Sequence, residues 1–90
     1  MAWIVDYAPA ADRQLRKLAT VLGDTVADFF DYEVAPLQNP TRHPKAKALK
    51  GPLKGLWRFD IGDYRAICDI QGKRLTILVL DIGHRRDVYR

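Results

Sequence analysis

The sequence predicts a small α+β domain: an N-terminal strand, a helical hairpin, then a meander of three antiparallel strands, with the helices packed on one face of the sheet. Three patterns lead there. Residues 2–7, AWIVDY, alternate Trp3, Val5 and Tyr7 against Ala2, Ile4 and Asp6, the period-two signature of a strand. Apolar residues then recur at helical spacing over two consecutive stretches. The later half holds three runs rich in aromatic and β-branched residues, 56–61, 64–70 and 75–82, separated by turn residues. At 90 residues the chain suits a single domain, 1–90, small enough that one core stabilises it only marginally.

Each element has a local reason. Pro9 suits the first turn of a helix, where its missing N–H costs nothing. Ala11, Leu15, Leu18 and Leu22 form the apolar side of that helix, and Asp12, Arg13, Arg16 and Lys17 the polar side. Gly23 marks its end. Asp24 caps a second helix with the stripe Val26, Phe29, Phe30 and Val34, bounded by Pro36. Prolines at 36, 40, 44 and 52 and glycines at 51 and 55 make the next segment mostly loop. Gly62 and Asp63 turn the first strand of the meander into the second, and the stretch QGK turns the second into the third. The last run, LTILVLDI, is apolar on both alternations, which suits the middle of a sheet.

Composition narrows the chemistry. Cys68 is the single cysteine, so neither a disulfide framework nor a cysteine metal cluster is available, and a reducing, cytoplasmic setting is expected. The start has no basic leader followed by an apolar run, and no stretch approaches the roughly 18 apolar residues of a membrane span. The net charge of +4 conceals a division: residues 1–33 carry −3 and residues 34–90 carry +7. Residues 34–59 contain no acid at all, but hold Arg42, Lys45, Lys47, Lys50, Lys54 and Arg58. A one-signed segment on a structured domain attracts polyanions.

Strand alternation groups the remaining side chains. Arg58 points away from Trp57 and Phe59, and Arg65 away from Tyr64, Ala66 and Cys68. Trp57 and Cys68 thereby fall on the core side, where a free cysteine acts as a small hydrophobe. If the tail after Ile82 folds across the opposite face, Arg85 and Tyr89 join Arg58 and Arg65 in a basic pocket with the ingredients of a phosphate-chain site: guanidiniums for bidentate contacts and a ring for base stacking. A purely structural role for Arg65 would pair it with Asp63 or Asp69. His43 reads as a loop residue. No cofactor or metal is expected: His43 and His84 lack further ligands at metal spacing, and GPLKG lacks the strand-to-helix setting of a phosphate-binding loop.

The landmarks LKG at 49–51, LWR at 56–58, GDYR at 62–65, the apolar strand and GHRRDVY at 83–89, with NP at 39–40 upstream, resemble toxins of the RelE/ParE toxin–antitoxin superfamily, specifically its RelE branch. The likeness spans nearly the whole chain. It implies a RelE-like domain and a ribosome-dependent, metal-independent endoribonuclease that cuts mRNA in the ribosomal A site and halts translation. It also implies a cognate, RelB-like antitoxin that binds a toxin otherwise monomeric. In the family reaction the ribose 2′-hydroxyl attacks the adjacent phosphate, giving a cyclic phosphate and a 5′-hydroxyl.

Carried onto this chain, the resemblance makes Arg65 the arginine that stabilises the crowded phosphate. Arg85 becomes the arginine that holds the phosphate or assists the leaving oxygen, and Tyr89 the ring that orients the nucleotide. Arg58 stands where the prototype has a strand lysine. Two residues earlier the prototype's proposed base, another lysine, is replaced by Leu56. Since arginine stays protonated, the base falls to His84, which titrates near neutrality, or to Lys54. Lys45, Lys47 and Lys50 are expected to contact RNA backbone. Two other functions fit the same landmarks: a ParE-like toxin that binds gyrase, and a catalytically inactive RNA- or ribosome-binding relative.

Overall fold

The computed structural model describes residues 2–22, 25–84 and 86. Strand β1 (Ile4–Tyr7) leads into helix α1 (Pro9–Leu22) and a single α-turn, α2 (Thr25–Asp28), that continues as a π-helical stretch over Phe29–Val34. Strands β2 (Ala46–Ala48), β3 (Trp57–Ile61), β4 (Tyr64–Gln71) and β5 (Thr76–His84) follow, with short 3-10 turns at Pro40–Arg42, Gly51–Leu53 and Gly72–Arg74. The expected Gly23 terminator and Asp24 cap lie outside the described residues.

The five strands form one sheet in the order β1-β5-β4-β3-β2. The meander β3-β4-β5 is antiparallel, as its short turns require, whereas β1 runs parallel to β5, pairing Ile4 with Thr76 and Tyr7 with Val79. The doubly apolar β5 therefore has a neighbour on each side. The proline-rich basic segment, expected to be mostly loop, also contributes to the sheet. Ala46–Ala48 adds an edge strand, pairing Lys47 with Arg58. It stays at three residues because prolines at 44 and 52 bracket it and cannot donate to a ladder. Upstream, the Asn39 side chain closes the adjoining 3-10 turn by accepting from the Thr41 backbone N–H at 3.1 Å and its hydroxyl at 2.7 Å.

The second helix also departs from a regular α-helix, for a packing reason. Phe29 and Phe30 are both buried, at 4% and 0% exposure, yet neighbours on an α-helix point about 100° apart. The wider π-turn, closed by the Ala35 N–H donating to the Phe30 carbonyl at 2.8 Å, accommodates both rings. They meet Phe59 of β3 edge to face, with Phe30–Phe59 centroids 5.6 Å and Phe29–Phe59 centroids 6.0 Å apart, a favoured aromatic geometry. Ala11, Val26, Val34, Ile61, Ala66, Cys68, Ile77, Val79 and Ile82 complete the core between helices and sheet. Burial pushes the Cys68 thiol above its ordinary range, as befits a packing residue.

A β-bulge interrupts the β4–β5 ladder. Ile67 pairs with Asp81 but Cys68 pairs with Val79, so Leu80 has no partner. The extra residue reverses the alternation of β5 beyond it. Ile77 and Val79 before the bulge and Ile82 after it are consequently all in the helix-side core.

Candidate nucleic-acid site on the open sheet face

The β3–β4 hairpin sets the geometry of the site. Its connection is two residues, Gly62 and Asp63, between the paired Ile61 and Tyr64. Gly62 has φ +60°, the left-handed backbone that tight hairpin turns reserve for glycine. Counting back from this turn puts Asp60 opposite Arg65 and Arg58 opposite Ile67. Alternation sends Arg58, Asp60 and Arg65 to the face away from the helices, and the β2 register adds Lys47 beside Arg58.

The two arginines share one carboxylate oxygen. Arg65 Nε donates to Asp60 Oδ1 at 2.8 Å, and Arg58 Nε stands 3.8 Å from the same atom. The Arg65 and Arg58 side chains are only 16% and 27% exposed. Arg58 Nε is buried and, among the described residues, makes no hydrogen bond, a donor whose desolvation is uncompensated until an acceptor oxygen arrives. Where the sequence offered Asp63 or Asp69 as partners, β-alternation and the tight turn bring Arg65 to Asp60.

Not all the expected residues gather here. His84 pairs with Tyr64 at the end of the ladder, and their rings meet edge to face at 5.8 Å. The bulge at Leu80 has moved His84 to the helix-side alternation, opposite to that of Arg58 and Arg65. Its Nδ1 accepts from the Arg86 backbone N–H at 3.3 Å. Lys54 is exposed at the end of the Gly51–Leu53 turn, and Lys50 is exposed at its start. Lys45 stands 5.6 Å above the Phe29 ring, on the helix side, so it does not share the face of Lys47. Arg85 and Tyr89 lie outside the described residues.

Two residues gain importance from the fold. Asp60 was legible as i+2 from Arg58 across a two-residue turn from Arg65. His43 gave no such signal, being surrounded by prolines and bases. Its side chain is 10% exposed, wedged against Phe29 at 5.2 Å and Phe59 at 6.2 Å. Nδ1 accepts from the Lys45 backbone N–H at 3.0 Å, so the neutral ring carries its proton on Nε2, 3.7 Å from Glu33 Oε1. His43 thus ties the basic segment to the aromatic core. Among the described residues no group of three His, Cys, Asp or Glu side chains is placed to hold a metal ion, and no helix is long and apolar enough to cross a membrane.

Comparison with known proteins agrees with this architecture. The chain is 29% identical over 90 residues to Toxin RelG of Mycobacterium tuberculosis, covering 100% of this chain and 99% of that protein. The fold matches the crystal structure of the toxin–antitoxin complex RelBE2 from the same organism, with TM-score 0.80, 26% identity, and 97% and 95% of the two chains covered. The free E. coli toxin RelE shares the fold at TM-score 0.74 and 18% identity, with 98% and 88% covered. Residues 5–89 match the family described as ParE toxin of the type II toxin–antitoxin system parDE, and the chain belongs to that family as a RelE-like toxin of the RelE/ParE superfamily.

Proposed function

We propose that this toxin is a ribosome-dependent mRNA endoribonuclease that cuts in the A site by 2′-hydroxyl attack and so halts translation. The observation that supports it is the convergence of Arg58 and Arg65 on one open sheet face, beside the register position of Lys47. Two half-buried guanidiniums stabilise the charge that builds on a phosphate under attack, and at low water content that stabilisation is large. Lys47, Lys50 and Lys54 supply salt-sensitive attraction to RNA backbone. By the family resemblance, Arg85 and Tyr89 are assigned the roles of phosphate ligand and nucleotide-orienting ring.

The partners follow from this reading and from the relatives, among them the RelBE2 toxin–antitoxin complex. They are the ribosome with its mRNA, in the cytoplasm, and a RelB-like antitoxin that folds on the toxin as it binds. The test is a cell-free translation reaction with a defined mRNA, mapped by primer extension, beside the same mRNA without ribosomes. Breaks inside the A-site codon only with ribosomes are the expected result. Intact mRNA in both samples, with growth arrest on expression, overturns the nuclease reading and directs attention to gyrase, the target implied by a ParE-like toxin.

A further inference from the structure

The cleavage proposed above begins with removal of a proton, and the arginines of the site cannot accept it. Of the acceptors suggested by the sequence, His84 is held against Tyr64 on the helix side, and Lys54 is carried on the turn before β3, not on a strand of the site. Asp60 shares the face of the arginines. Its Oδ1 lies 2.8 Å from Arg65 Nε and 3.8 Å from Arg58 Nε, and its side chain is 40% exposed.

The geometry points to Asp60 as the proton acceptor for the 2′-hydroxyl, an inference that rests on the nuclease reading. A guanidinium is a planar fork with donors on more than one edge. A phosphodiester drawn to the Arg58 and Arg65 guanidiniums on this face brings its neighbouring ribose toward the carboxylate. The O2′–H bond breaks and its proton passes to an Asp60 oxygen. The electron pair left on O2′ forms the O2′–P bond, and the P–O5′ bond breaks. The departing 5′-oxygen takes a proton from solvent, and the proton on Asp60 returns to solvent, which restores the carboxylate. The phosphate's negative charge on the arginines offsets their hold on Asp60 and favours the transfer.

The experiment compares wild type with Asp60→Asn, Asp60→Ala and Asp60→Glu on ribosomes carrying a defined mRNA. It reads single-turnover cleavage by primer extension and ribosome binding by co-sedimentation, after urea denaturation has shown that each variant folds. Asparagine keeps an oxygen to accept from Arg65 Nε but cannot take the proton, so it separates base from positioning residue even where the alanine variant is unstable. Expected is a loss of about 10²–10⁴-fold in cleavage for Asp60→Asn, equal to that of Asp60→Ala, with binding preserved and partial recovery in Asp60→Glu. Cleavage by Asp60→Asn at the wild-type rate would show that the carboxylate only orients Arg65, and faster cleavage would show that it blocks the phosphate site; either overturns the inference while leaving the nuclease reading intact. A wild-type chain that binds ribosomes and cuts no mRNA overturns that reading, and this inference with it.

Discussion

Arg65 and Asp60 face each other across the β3–β4 hairpin, paired in register and joined by a 2.8 Å hydrogen bond from Nε to Oδ1. That pair is the link between a local sequence rule and the proposed chemistry. A two-residue turn with glycine first dictates which residue opposes Arg65, and the opposing residue is acidic.

Arg65→Ala should lower A-site cleavage by about 10²–10³-fold, the usual loss on removing one preorganised donor to a developing oxyanion. Stability should fall as well, by about 1.5–3 kcal/mol, because a largely buried side chain and its hydrogen bond to a charged acceptor are lost. Single-turnover cleavage and urea denaturation of the same variant check both halves.

Lys47 and Lys45 are two residues apart but on different sides of the sheet edge. Replacing Lys47 by Ala should weaken ribosome binding and reduce the slope of log affinity against log salt by about 1. Lys45→Ala, which removes a cation from above Phe29, should leave that slope nearly unchanged. A salt titration of binding distinguishes them, and equal slopes for both variants would contradict the placement.

Phe30 is fully buried and touches Tyr7, Phe29 and Phe59. Phe30→Ala should cost about 3–5 kcal/mol, a large share of the roughly 5–15 kcal/mol available to a domain. The midpoint of urea unfolding, followed by circular dichroism, measures it.

Deleting Leu80 removes the extra residue and leaves Val79 and Ile82 two positions apart, so simple alternation keeps both in the core opposite Cys68 and Ala66. The variant should fold with the facing of Ile82 unchanged. Amide exchange of β5 checks this; protection lost beyond residue 80 would contradict the reading of Leu80 as an inserted residue.

Alkaline solution should destabilise the fold. Burial pushes up both the Cys68 thiol, ordinarily 9.0, and the Tyr7 phenol, ordinarily 10.0, the latter with further contributions from Asp31 and Cys68. The unfolded chain loses these protons first, so it binds fewer protons than the native state there, and stability falls as pH rises through 9 and then 10. Below pH 9 the contribution is complete. Cys68→Ala and Tyr7→Phe should each flatten part of that decline in unfolding free energy measured from pH 7 to 11. At neutral pH Tyr7→Phe should be neutral or stabilising by up to about 1 kcal/mol, since the buried hydroxyl has no hydrogen-bond partner among the described residues.

The chain's local chemistry determined a good deal by itself. Alternation in 2–7 and in the three later runs, the helical spacing of Ala11, Leu15 and Leu18, and the glycine turn at 62 are all rules acting within a few residues, and they specify the strands, α1 and the placement of Arg58 with Arg65. What depends on contacts between distant segments was decided only in the folded molecule. The parallel seat of β1 beside β5, the short β2 and the burial of His43 among aromatic rings each need a partner far along the chain. The bulge at Leu80 is the sharpest case. Simple alternation would have carried His84 to the face of the arginines, but filling the core with Val79 and Ile82 together required one unpaired residue between them. Packing on the helix side thus reversed the strand beyond it, turned His84 toward Tyr64, and left Asp60 as the carboxylate beside Arg58 and Arg65.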